Sequence, residues 1–454
     1  MTYVLEPFDQ ADPPGDGRPG RLDSAILDGL NPQQREAVEY RGQSLLIVAG
    51  AGSGKTSVLT RRIAGLLQTR EAWPSQILAI TFTNKAAAEM RERVKALVGD
   101  AAEGMWISTF HSACVRILRR QAEAFGMKQS FTIYDTQDSR ALMKRIIKEL
   151  DADTLGFTAG GALNRISKLK NELTDVEAFG RTANLSDPKE AVLLEIFRQY
   201  SASLKRANAL DFDDIIGETV YLFRAFPDVA ALYQRRFRHV LVDEYQDTNH
   251  AQYALIKELV KAVRPQHVPP DTRMPLAPDG SIPPASLTVV GDSDQSIYAF
   301  RGADIRNIVE FERDYPNSKV ILLEQNYRST QNILDAANAV ISNNFDRKAK
   351  NLFTVVARAR RSSATRATPV TTRPSSSPTR WRRCARRGST STTSRCSCAP
   401  TRRPARWRRS SSARRCRTAS PAAPSSTSGP RSRMRWPTSS RSPTPTTTWL
   451  CAAS

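Results

Sequence analysis

The sequence predicts an α/β fold, a parallel sheet with helices on both faces. Three observations carry that expectation. Six short apolar runs recur along the chain: Leu45–Val48, Ile77–Thr81, Trp106–Ser108, Val240–Val242, Leu287–Val290 and Val320–Leu323. Most are continuous and β-branched rather than alternating, as in strands covered on both faces. Stretches with helical apolar spacing separate them, which supplies the crossovers that parallel strands need. The first run flows directly into a glycine-rich loop and then a helix, Ala-Gly-Ala-Gly-Ser-Gly-Lys-Thr at 49–56 followed by Val58, Leu59, Ile63, Leu66 and Leu67.

Taken in order, residues 1–29 (Glu6, Asp9, Asp12, Pro13, Pro14, Gly15) read as a disordered lead-in without the basic-then-apolar order of a signal peptide. Leu30–Tyr40 opens a helix with Asn31 as cap and Pro32 at its first position. The α/β domain is assigned to 30–115 and 206–315. Residues 116–205 are helical and charged with no clear strand, and are read as an all-helical subdomain inserted into it. A Pro-rich stretch at 263–286 lacks periodicity and reads as a surface loop. Residues 316–354 are expected to begin a second domain. The tail, 355–454, is Arg-, Ser-, Thr- and Pro-rich with one Leu and no Ile, Phe or Tyr, too poor in apolar surface to offset chain entropy.

The loop at 49–56 has the chemistry of a phosphate cradle. Gly50, Gly52 and Gly54 let the backbone bend so that its N–H groups, with those of Ala49, Ala51 and Ser53, can face phosphate oxygens at a helix N-terminus. Lys55 would reach the outer phosphates and the Thr56 hydroxyl would hold Mg²⁺. Ala49 stands where the common pattern has glycine, and its small size is compatible with the turn. About 190 residues later, Val240-Leu-Val-Asp-Glu-Tyr-Gln-Asp-Thr248 is a buried strand that delivers two carboxylates to its C-terminal end. Asp243 suits Mg²⁺ coordination and Glu244 suits activation of an attacking water. ATP or GTP binding follows from the pair.

The net charge of +22 misleads as an average. Residues 355–454 hold 23 Arg and no Lys, Asp, Glu or His, which leaves 44 basic against 45 acidic side chains in the rest. A nucleic-acid partner for residues 1–354 must therefore be argued from motifs. Only Cys114 of six cysteines precedes the tail, which fits a reducing cytoplasm. Cys396 and Cys398 lack the histidines or second thiol pair of a zinc site. No apolar run reaches ~18 residues, so no membrane span is expected.

Beyond the two nucleotide motifs the chain carries LNPQQ (30–34), TFTNKAA (81–87), STFHS (108–112), LDFDD (210–214), VGDSDQSIYAFRGAD (290–304) and LEQNYRST (323–330). In that order these blocks resemble the UvrD/PcrA/Rep family of superfamily-one DNA helicases over about residues 30–354. The resemblance implies a RecA-like ATPase core as first motor domain, a helical insertion, and ATP and Mg²⁺ as cofactors. It also implies ATP-driven 3′→5′ movement along single-stranded DNA, action at single-/double-strand junctions, and repair or replication in a bacterial cytoplasm. Gln34 would read the adenine edge and Tyr327 would stack on its ring. Gln295 would sense the γ-phosphate, and Arg328 would act as an arginine finger. Phe82, Thr109, His111, Tyr298, Phe300 and Arg301 would line the single-strand path, where aromatic faces grip any base. The family usually has Trp at the Phe300 position.

From about Val355 the family pattern is expected to stop, which would leave only the start of a second RecA-like domain and little or no unwinding by this chain. One reading makes the tail an out-of-frame translation of a GC-rich gene, in which shifted Asp and Glu codons become Thr, Ser and Arg. The competing reading makes it a genuine Arg-rich arm that grips nucleic acid. Cys451-Ala-Ala-Ser matches a prenylation box in form, by coincidence in such a segment. The alternative in function is a non-motor, nucleic-acid-binding ATPase fragment.

Overall fold

The computed structural model describes residues 22–344 and 350–355, apart from the side chain of Arg301. The expected runs form six strands: β1 (Ser44–Ala49), β2 (Ile77–Thr81), β3 (Trp106–Thr109), β6 (His239–Val242), β7 (Ser286–Gly291) and β8 (Ser318–Leu323). Two-residue strands β4 (Thr132–Ile133) and β5 (Ala209–Leu210) pair separately. The six-stranded sheet runs β3-β2-β6-β7-β1-β8, and every pairing in it is parallel.

Alternate residues of each strand enter opposite layers of core. Leu46, Val48, Leu78, Ile80, Val240 and Val242 join one apolar cluster, and Leu45, Ile47, Ile77, Ala79 and Leu241 the other. This is the period of two expected of a strand, with both faces covered by helices. The register matters for the site. Val48 stands opposite Gly291 and Val242 opposite Ile80, so the loops after β1, β2, β6 and β7 leave from one edge of the sheet.

Three boundaries differ from the sequence reading. β8, expected to open a second domain, pairs with β1 along its whole length (Ser44↔Ser318 to Ala49↔Leu323) and is the edge strand of the first sheet. Its Ile321 and Leu323 are buried in the same cluster as Leu45 and Ile47, which draws the strand in. The helix Phe110–Arg120 sends Cys114, Ile117 and Leu118 into the main core, so the insertion starts beyond it rather than at 116. The insertion has its own core, built from the helices Thr136–Glu149, Ala159–Asn171, Val176–Thr182 and Pro188–Arg206 around Met143, Ile146, Phe197 and Tyr200. Within the lead-in, Ser24–Leu27 is a short helix that buries Ile26 and Leu27; residues 1–21 lie outside the described residues, as does the tail beyond Val355. The Pro-rich stretch is a loop pinned by a bridge in which Val263 and Ile282 exchange backbone hydrogen bonds of 3.0 Å.

A polar joint fastens the insertion to the sheet. Lys170 Nζ is 2.6 Å from Asp211 and 2.7 Å from Asp214. Asn171 donates to Asp213 at 3.0 Å and accepts from Asn249 at 2.5 Å, in the loop that follows β6. Among the described residues no helix is long and apolar enough to cross a membrane.

A candidate nucleotide site and an aromatic edge

The loop after β1 is held by its own hydrogen bonds. The Ser53 hydroxyl donates to the Gly50 carbonyl at 2.8 Å, and Gly54 turns the chain into the helix Lys55–Gln68 with φ of 84°. Gly52 is also left-handed, at φ 73°. Its position has no room for a side chain: a Cβ there would lie 2.7 Å from Arg328 Cβ and 2.8 Å from Asn326 Nδ2. The glycines therefore serve both the turn and the close approach of a second segment.

β6 brings its two carboxylates to this loop across 187 and 189 residues of sequence. Lys55 Nζ donates to Glu244 Oε2 at 2.7 Å and lies 3.5 Å from Gln295 Oε1. The Thr56 hydroxyl is 3.5 Å from Asp243 Oδ2, and the Glu244 N–H donates to Asp243 Oδ1 at 3.0 Å. Burial, reinforced by the neighbouring Glu244, pushes the Asp243 carboxyl up to about 6 despite Lys55. Glu244 has φ of 50°, an uncommon conformation for a residue with a side chain, of the kind that clusters at functional sites. Gln295 donates to Asp292, which Lys350 also contacts.

Asp243 and Thr56 fit a hard divalent cation as one carboxylate and one hydroxyl. Among the described residues no group of three His, Cys, Asp or Glu side chains could enclose a metal ion. Such a cation would complete its shell from phosphate and water, as Mg²⁺ commonly does.

The segment after β8 closes over the loop. Asn326 is buried; its amide donates to the Ala51 carbonyl, and its oxygen accepts from the N–H groups of Arg328 (2.8 Å) and Ser329 (2.7 Å). The Tyr327 N–H donates to the Gly52 carbonyl at 2.9 Å, while its ring is half-exposed and its hydroxyl accepts from Asn31 at 3.0 Å. Arg328 is exposed beside Gly52. Gln34 is turned inward. Its Nε2 donates to the Ser53 carbonyl at 2.9 Å, and its Oε1 accepts the Asn31 N–H at 3.1 Å in a capping box. Its amide supports the loop, and reading an adenine edge would require it to give up one of these bonds.

The residues assigned to a strand path form two aromatic groups at the same edge of the sheet. Phe82, after β2, lies 5.4 Å from Tyr298, which lies 5.9 Å from Phe300. Phe300 is 78 % exposed. His111 stacks on Phe212 at 3.7 Å, and burial pushes the imidazole down to about 4, so it is neutral at pH 7. Thr109 caps the helix Phe110–Arg120, accepting the Ser112 N–H at 3.3 Å. The Arg301 side chain lies outside the described residues.

Three residues seen here had no role in the sequence reading: Phe212, Asn326 and Lys350. The first two lie inside quoted motifs. The available signal was position: in Leu-Asp-Phe-Asp-Asp the only aromatic falls between carboxylates, where a core residue is out of place.

Comparison with known proteins identifies the family. Residues 30–316 match the family model of the UvrD/REP helicase N-terminal domain, and residues 321–372 that of the UvrD-like helicase C-terminal domain. The second match runs past Val355, where the resemblance was expected to stop. The chain is 57 % identical over 346 residues to the ATP-dependent DNA helicase UvrD1 of Mycobacterium tuberculosis, covering 76 % of this chain and 42 % of that protein. It is 49 % identical over 333 residues to the ATP-dependent DNA helicase PcrA of Bacillus subtilis, covering 73 % and 42 %. The chain thus spans about two fifths of the length of the curated relatives it matches. A parallel sheet with the phosphate loop, the Asp243–Glu244 strand end and the Asn326–Arg328 segment at one edge, matched over 30–316, means that the chain belongs to the UvrD/REP helicase family.

Proposed function

We propose that residues 30–316 form the ATP-binding first motor domain of an ATP-driven DNA helicase. In this reading the protein moves 3′→5′ on single-stranded DNA and acts at single-/double-strand junctions in the repair or replication of a bacterial cytoplasm. The observation that carries it is the meeting of Lys55 with Glu244 at 2.7 Å beside Thr56 and Asp243, which joins a phosphate loop to a pair of acidic side chains.

The residues then divide the work. The loop N–H groups receive the phosphates at the helix N-terminus. An entering phosphate competes with Glu244 for Lys55 and frees that carboxylate to orient water. Thr56 and Asp243 would hold Mg²⁺, which supplies charge neutralisation on the phosphates when bound. Tyr327 offers its half-exposed face to the base, Arg328 its guanidinium to the transferred phosphoryl, and Gln295 its amide to the γ-phosphate. Phe82, Tyr298, Phe300 and the neutral His111 offer stacking and contact surfaces to a single strand.

The test is hydrolysis of Mg·ATP by the purified chain with and without oligothymidylate, alongside strand displacement on a tailed duplex. DNA-stimulated hydrolysis abolished by Lys55→Ala is the expected result; no nucleotide binding by the parent chain would sink the proposal. Hydrolysis without displacement would favour a DNA-binding ATPase that is not itself a motor. That second reading has one observation behind it: among the described residues beyond 316, the site draws on a few short pieces of chain, Asn326–Arg328, Lys350 and Leu352 among them.

A further inference from the structure

We propose that Gln246 is a positioning residue that links the Glu244 carboxylate to the segment 292–300, so that nucleotide and DNA occupancy report on each other through its amide. The inference rests on the nucleotide and DNA sites proposed above.

Gln246 is 1 % exposed, in the turn Tyr245–Asp247 that follows Glu244. Both ends of its amide are used. Nε2 donates to Glu244 Oε2 at 2.9 Å, the same oxygen that receives Lys55. Oε1 accepts the Asp292 N–H at 3.0 Å, and the Gln246 carbonyl accepts the Ser296 hydroxyl at 3.4 Å. An uncharged amide can donate to a carboxylate and accept from a backbone N–H at once; a carboxylate or a thioether cannot.

The packing around it is close. A Cβ at Gly291 would lie 2.9 Å from Gln246 Oε1 and 3.3 Å from its backbone N, so the turn rests directly on the end of β7. Beyond Gly291 the chain runs through Asp292, which accepts from Gln295, then Ser296, then Tyr298 and Phe300 at the aromatic edge. One neutral side chain therefore touches the acidic strand end on one side and the loop carrying the stacking residues on the other. A strand that shifts 296–300 changes the geometry of the Gln246 amide, and with it the carboxylate it holds. Conversely, once a phosphate draws Lys55 away, Gln246 is the donor left on Glu244 Oε2. Such linkage is reciprocal, so it can be read from binding alone.

The experiment uses the full chain and anisotropy of fluorescein-labelled oligothymidylate, with and without a saturating non-hydrolysable Mg·ATP analogue. In the parent, the analogue should change DNA affinity by about fivefold or more. Gln246→Met should bind each ligand alone within about threefold of the parent, with the linkage reduced to under about twofold. Gln246→Glu, isosteric but unable to donate, should lose the linkage as well, which separates amide chemistry from space-filling. Ser296→Ala, at a half-buried hydroxyl, should lower it in part and covers the case in which Gln246 variants fold poorly. Undiminished linkage in a folded Gln246→Met or Gln246→Glu protein overturns the proposal, as does a parent that binds both ligands without linkage. A parent that binds no nucleotide overturns the underlying site assignment instead, and this inference with it.

Discussion

The phosphate loop and the aromatic edge begin at the same ends of parallel strands, yet they are built on opposite terms. Around the loop the polar groups are already committed: Ser53 to Gly50, Gln34 to Ser53, Asn326 to Ala51 and Lys55 to Glu244. At the edge, Ile297 is 70 % exposed, Phe300 78 % and Phe212 58 %, and the aromatic rings pack against one another. A cradle for a highly charged group gains from donors fixed in advance, because they need not reorganise when the charge arrives. A surface over which a strand moves gains from contacts that are indifferent to sequence and register. The same sheet edge thus carries a rigid polar half and an open apolar half.

The sharpest break in that contrast is Lys55→Ala. Removing a charged donor to phosphate should cost about 2–3 kcal/mol, a loss of roughly 30- to 150-fold in Mg·ATP-analogue affinity by titration calorimetry, with DNA binding nearly unchanged. Gly52→Val comes next. Its positive φ and the 2.7 Å approach to Arg328 should destabilise the protein by about 2 kcal/mol, seen as a lower melting temperature together with weaker nucleotide binding. Phe300→Ala tests the open half: oligothymidylate affinity should fall about tenfold while the melting temperature stays within a degree or so. If melting fell as well, the ring would be part of the core and the contrast would be wrong.

The smallest effect is a pH dependence in the rigid half. Burial, helped by the Glu244 charge, pushes the Asp247 carboxyl up to about 6, and its buried Oδ1 has no hydrogen-bond partner. A carboxyl raised on folding adds stability below its ordinary range, and that stability is lost as pH rises through about 6. Asp247→Asn should therefore melt a few degrees above the parent at pH 8, the difference shrinking towards pH 4–5. A gap that widened on acidification would reverse the assignment.

Much of this was legible because the relevant physics is local. Strands buried on both faces announce themselves as continuous apolar runs, and all six do so within a residue or two of their observed ends. The motif residues Lys55, Thr56, Asp243 and Glu244, which the structure brings together, could be proposed from sequence because few side chains suit phosphate and a hard cation. Phe212 and Gln246 were harder, since an aromatic or an amide serves a core equally well; only exposure for the one and bonding for the other distinguishes them. Gln34 shows what a pattern leaves out: its amide is engaged in a cap and a loop contact that no motif specifies.

By itself the sequence determined which segments are strands, and it singled out the loop proposed as a phosphate cradle and the carboxylates proposed to serve it. Those features depend on neighbours along the chain: apolar period, glycine where φ must be positive, a hydroxyl beside a lysine. The tertiary structure alone decided that β8 closes the first sheet beside β1, that Asn326 clamps the phosphate loop from 275 residues away, and that Gln246 touches both the acidic strand end and the loop after β7. The physical reason is that strand order and side-chain bonding across a sheet depend on which surfaces are buried together. That is a property of the folded layers rather than of any one stretch of chain.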